Sequence, residues 1–294
     1  MQYLTLWDLV LTPFYLLILI FIAKRHRDRK YKRNNPLRKY YLPGLYVKFA
    51  GAIFIAVVYQ YYYGGGDTFN YFEQSQIINS ALDNSFDTWI KLILRQPWNE
   101  NPEIYKYVLQ LPFYQDPASY AVSVIGAILG LLNGTTYIPI ALLFAYFSFT
   151  GIWAMYRTFA NIYPALHKEL AIAFLFIPST FVWGSGIFKD TICMFGLGWM
   201  TYTTFRIFIN KDFSVKNLLL LSISFYLIGL IKVYILLAFL PALTLWLLMN
   251  YSNKIESTLI RWMLNILFVG VILGGFILFS ASFSEELNQL FDRS

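Results

Sequence analysis

Thiols, imidazoles and charge are all scarce in this 294-residue chain. There is one cysteine, Cys193, so no disulfide can form within the chain, and a thiolate metal site is excluded with it. Two histidines, His26 and His167, both sit among basic residues, and neither lies near a Ser/Asp arrangement that would make a hydrolytic triad. No glycine-rich nucleotide loop is present. Only 13% of residues are charged against 58% hydrophobic, which excludes an ordinary water-soluble domain. The apolar residues come in continuous runs and do not alternate, which excludes a membrane β-barrel. The first run has no basic residues before it and no small-residue cleavage site, so it reads as a retained span and not as a signal peptide.

What is present is a series of apolar runs near the roughly 20 residues that a spanning helix needs. They fall at Leu4–Ala23, Leu45–Tyr63, Thr135–Tyr156, Leu170–Trp183, Thr191–Ile209, Leu218–Ile231, Val233–Met249 and Trp262–Ser280. The shorter run Tyr120–Leu132 reads as re-entrant or confined to one leaflet, with Asn133-Gly134-Thr135 as its turn. The expected fold is an all-α integral membrane protein of about 8–9 transmembrane helices, forming one polytopic domain over residues 1–294. The amphipathic stretch from Phe283 to Phe291 reads as the start of a further element, so the chain is expected to be a fragment or a reduced form.

Charge sets the orientation. Nine of the 23 Lys and Arg residues lie between Lys24 and Lys39, inside a basic loop over residues 24–43. Such a tract beside a span is expected in the cytoplasm against anionic lipids, and not on nucleic acid. Basic residues also fill Arg157–Lys168, Arg206–Lys216 and Lys254–Arg261, which places those loops on the same side. The segment over residues 64–118 carries seven acids and three bases, and is expected outside. Its apolar spacing predicts short amphipathic helices lying on the membrane, with Trp89 and Trp98 at the interface. Asp83 or Ser85 would cap the second of them.

Two stretches carry candidate chemistry. Gly64-Gly65-Gly66-Asp67 ends a span with a tight turn and holds a carboxylate at the membrane surface, a position suited to a general base or cation ligand. Pro178-Ser179-Thr180-Phe181-Val182-Trp183-Gly184-Ser185-Gly186-Ile187-Phe188-Lys189-Asp190 breaks a helix and opens the next with two charges. Lys232 interrupts the long apolar stretch Asn217–Met249. With this topology Asp67, Lys189 and Lys232 share the external side, and amines there suit a lipid phosphate or diphosphate. A structural Lys189–Asp67 or Lys189–Asp190 pair is the simpler alternative. Arg95, Glu100 and Glu103 would overhang the same cavity. Asp67 with Glu73 or Asp190 could hold a divalent cation, although no spacing demands a metal or any other cofactor.

The GGGDTxxYF turn resembles the first external loop of GT-C-type membrane glycosyltransferases, and the PSxxxWGSGxxKD stretch is similar to one in polymerases of bacterial surface-polysaccharide repeat units. The likeness covers about Tyr59 to Lys232. It implies a bacterial cytoplasmic-membrane enzyme with a polyprenyl-phosphate or -diphosphate sugar donor and a glycan acceptor. In that reading Asp67 is the catalytic base. Ser185, Lys189 and Lys232 hold the donor phosphate, and Asp190, Arg95 and Glu73 line the substrate site. The chain departs from the pattern in having Gly66 and Thr68, and no second acid, beside Asp67. The alternatives are a transporter or flippase of a lipid-linked or anionic substrate, and a non-catalytic membrane subunit of an assembly.

Overall fold

The computed structural model describes residues 3–252 and scattered positions between 257 and 270. The chain is all-helical, with no strand among the described residues. Among the described residues five helices are long and apolar enough to cross a membrane: Leu6–Lys30, Arg38–Tyr63, Tyr137–Ile162, Lys189–Ile209 and Val215–Tyr251. The span near Trp262–Ser280 lies largely outside the described residues, as does the segment from Phe283 to Phe291.

Helix α1 (Leu6–Lys30) begins in a capping box, where Asp8 accepts from the Thr5 N–H and hydroxyl, both at 2.9 Å. Its other carboxylate oxygen accepts from the Ile138 N–H at 2.7 Å, which ties the start of α1 to the start of α7 (Tyr137–Ile162). Helix α2 (Arg38–Val58) runs on into a π-helical turn, Tyr59–Tyr63. Gly64, Gly65 and Gly66 then take φ of 67°, 153° and 127° in succession, and only glycine accepts three such values without strain. A Cβ at Gly66 would also run into the Tyr59 ring. Helix α3 (Asp67–Ser80) starts directly after this turn.

The acidic segment folds on itself. It comprises α3, α4 (Phe86–Ile93), α5 (Tyr105–Val108) and the first part of α6 (Pro117–Gly130). Ser85 caps α4 by accepting the Thr88 N–H at 3.0 Å. Ile78, Trp89, Leu92, Ile104, Leu111 and Tyr120 belong to one buried cluster. Trp89 is therefore not an interface anchor: it is 7% exposed and donates to the Asn79 carbonyl oxygen at 2.9 Å. Trp98 stays exposed.

Helix α6 packs along α3, with Ser75 bonded to the Ser123 carbonyl and Asn79 to that of Ala127. The following turn leads into α7 beside the first turn of α3, where Tyr137 bonds Thr68 at 2.7 Å. At 14 residues, α6 is too short to cross a membrane.

The span expected at Leu170–Trp183 is broken. Pro178 holds Ile177 extended, at φ −68° and ψ 126°, so the segment divides into α8 (His167–Ala171), a π turn at Ile172–Phe176 and α9 (Pro178–Trp183). Helix α10 (Lys189–Thr204) packs on α7 as the most extensive helix pair. A Cβ on Gly198 would collide with the Gly151 backbone, so these helices approach through small residues. Arg157 is part of α7 and buried, not a loop residue as its charge suggested. On either side of Lys232 the stretch α11 (Val215–Ser252) is two helices that meet at a kink, where Lys232 has non-helical φ −148° and ψ 77°. Residues up to Val233 form one compact unit and those from Tyr234 a second.

Candidate functional site

Three element starts and one helix break supply a charged cluster. Asp67 opens α3, Asp116 and Ser119 open α6, Lys189 and Asp190 open α10, and Lys232 occupies the break in α11. Lys189 Nζ lies 3.4 Å from Asp116 Oδ2, and Lys232 Nζ lies 2.5 Å from Asp190 Oδ1. The Ser119 hydroxyl donates to Asp116 and hydrogen-bonds Tyr71, and the Tyr71 phenol lies in the fields of Asp67, Asp116 and Lys232. Asp67 also acts on Tyr59, whose ring packs on Phe188 next to Lys189. The charges are thus gathered around Tyr71 and Tyr59.

The electrostatics follow from the partners. The Ser119 hydroxyl holds the Asp116 carboxyl below the usual carboxylate range, and Lys189 adds to this. Burial pushes the Tyr71 phenol up, the Ser119 hydrogen bond and Lys232 oppose this, and the fields of Asp67 and Asp116 add to it, with a net rise. The carboxylates of the two ion pairs are about half exposed, where such pairs contribute less than about 1 kcal/mol each. These pairs fix positions more than they stabilise. Asp67 is exposed and has no hydrogen-bond or ion-pair partner among the described residues, so its carboxylate is open to a substrate. An ammonium has three donors. Lys189 uses one, in a long bond.

The structure also holds an apolar groove of about 220 Å³. Thr191 and Ile192, directly after Asp190, line it with Ile128, Phe144, Phe195 and Leu227.

Not every expected residue joins the cluster. Ser185 is 0% exposed and donates to the Phe181 carbonyl, so its hydroxyl is not presented to a phosphate. The Gly-rich turn around it is packed against α2, where a Cβ on Gly51 would strike Phe181. Glu73 turns toward Tyr3, whose phenol it raises together with burial. Arg95, at φ 52°, donates to the Tyr114 carbonyl at 2.7 Å, two residues before Asp116. It borders the cluster through the backbone. Glu103 pairs with Lys91, away from the cluster. Lys189 pairs with Asp116, and neither with Asp67 nor with Asp190. Among the described residues no three His, Cys, Asp or Glu side chains stand where they could hold a metal ion.

Two residues were missed in the sequence. Asp116 was one acid among seven in a loop, and nothing local marks it as the partner of Lys189. Lys48 gave a clearer signal, an ionisable group inside an apolar run. It is 1% exposed and donates to Gly184 O at 2.8 Å, Thr180 O at 3.0 Å and Ser148 Oγ at 3.1 Å. It clamps the end of α9 and so the turn that delivers Lys189.

No family model, curated protein or solved structure matches this chain.

Proposed function

We propose that this chain is a membrane glycosyltransferase or repeat-unit polymerase, in a bacterial cytoplasmic membrane, that takes sugar from a polyprenyl-phosphate or -diphosphate donor at the external face. The observation that carries the reading is the exposed Asp67 carboxylate, which shares the surroundings of Tyr71 with Asp116 and Lys232 while Lys189 pairs with Asp116. The groove suits a polyprenyl chain and the lysines suit its phosphate. Asp67 takes the proton of the acceptor hydroxyl as that oxygen bonds to the anomeric carbon. The carbon–oxygen bond to the phosphate breaks, its electron pair stays on the phosphate oxygen, and the ammonium groups stabilise that charge. The Lys189–Asp116 and Lys232–Asp190 pairs hold the amines in place beforehand. A second reading, a transporter of the same lipid-linked substrate, is favoured by the helix break at Lys232.

The test is sugar transfer from lipid-linked donor extract by purified wild type and Asp67→Asn, with folding checked in both. Removing a general base costs about 10²–10⁴ in rate, so transfer is expected to collapse in the variant alone. Equal transfer in both removes Asp67 as the base. Donor bound without transfer by either protein shifts the assignment to the transporter.

A further inference from the structure

At the end of the helices remote from Asp67, four elements bring cations together. His26 and Lys30 stand on the last turns of α1, Arg157 late in α7, Arg206 just past α10 and Lys216 at the start of α11. Lys30 is within electrostatic reach of Arg157, Lys216 and Arg206, and His26 within reach of Lys30, Arg157 and Lys216. Arg157 is 8% exposed and its guanidinium stacks over the Tyr202 ring at 4.1 Å. Its Nε is buried without a hydrogen-bond partner, and no carboxylate pairs with Arg157 among the described residues. The nearby acids are engaged: Asp212 with Arg206, and Asp28 with Arg27 and Arg38.

A guanidinium withdrawn from water needs a partner to offset its desolvation, and like charges gathered around it raise that need. The fork geometry of arginine, backed by an aromatic ring, matches the oxygens of a phosphate. We propose that Arg157, with Lys30, Lys216 and His26 around it, forms a binding site for a phosphate-bearing anion at this end of the helices. This differs from diffuse attraction by the other basic residues of the stretch 24–43, because a discrete site takes one anion and depends on Arg157. The phosphate can come from the headgroup of an anionic lipid or from a soluble phosphate or diphosphate. The proposal does not depend on what Asp67 does.

The experiment uses the purified full chain in detergent. Native mass spectrometry follows retention of phosphatidylglycerol against phosphatidylcholine, and thermal unfolding is read with and without inorganic phosphate or pyrophosphate. One phosphatidylglycerol is expected to remain at concentrations where phosphatidylcholine is lost. Arg157→Gln and Lys216→Met should each weaken that retention about tenfold or more, the worth of one charge-assisted hydrogen bond. Lys39→Met, in the first turn of α2, should leave it unchanged. Lys216 is exposed, so its variant keeps the test valid where Arg157→Gln does not fold. Stabilisation by phosphate or pyrophosphate, lost in Lys216→Met and without lipid preference, assigns the site to a soluble anion. Equal retention of both lipids with no phosphate effect overturns the proposal, as does phosphatidylglycerol binding that neither variant weakens.

Discussion

Lys48 shows how one buried side chain can set the geometry of a surface site. Its ammonium satisfies the carbonyls of Thr180 and Gly184 where Pro178 has interrupted the helix. Lys48→Met would leave both carbonyls buried without a donor, at about 1–3 kcal/mol each. The variant is expected to unfold at a markedly lower temperature in detergent, and an unchanged midpoint would remove the clamp. Asp116 supports a second prediction, on pH. Its folded pKa is depressed below the ordinary 3.8, so its contribution is present above that value and is lost as pH falls through the lower folded value. Wild type should be more stable than Asp116→Asn at neutral pH, with the difference closing in strong acid; a gap that persists there would show that the loss is not one of charge. At this scale charge at a chain break singled out Asp67, Lys189, Asp190 and Lys232, which stand at two helix starts and a kink. Asp116 and Arg157 were hidden because their significance lies in contacts with distant segments. Ser185 was misplaced because a run of glycines does not reveal whether the turn faces water or α2.

At the scale of elements, apolar run length located the long helices but not their integrity. Leu170–Trp183 has the hydrophobicity of a span, yet one proline and the extended residue before it divide it. Lys232 sits where the two helices of α11 meet at a kink, and its ammonium pairs with Asp190. The acidic segment was recognised as helical, but its apolar residues face each other as well as any membrane, because Ile78, Leu92, Ile104 and Tyr120 complete a core of their own. The packing of α7 on α10 gives the strictest test at this scale. Gly198 leaves no room for a Cβ against Gly151, and overpacking costs about 1–3 kcal/mol even where side chains can adjust. Here the obstacle is backbone. Gly198→Ala should reduce the folded, monodisperse yield and separate Lys189 from Asp116, with loss of whatever activity Asp67→Asn abolishes. Full yield and activity in Gly198→Ala would mean that the two helices are less closely packed.

For the whole molecule, the charge distribution and the helix directions agree. Asp67, Lys189 and Lys232 gather at one end of the helices, while Lys30, Arg157, Arg206 and Lys216 gather at the other. The alternation of basic and acidic loops in the sequence leads to the same division, and α7 starts beside the first turn of α3. Which end faces the cytoplasm rests on the positive-inside rule. A Cys193→Ala background removes the only thiol in the chain, and Cys193 is buried in any case. Asn84→Cys and Asn34→Cys then place single exposed thiols, the first in the acidic segment and the second in the basic loop. A membrane-impermeant maleimide should label the first in intact cells and the second only after permeabilisation. The reverse pattern would put Asp67 and its lysines in the cytoplasm, where soluble nucleotide-linked donors are at hand. A polyprenyl carrier would then no longer be needed to explain the chemistry.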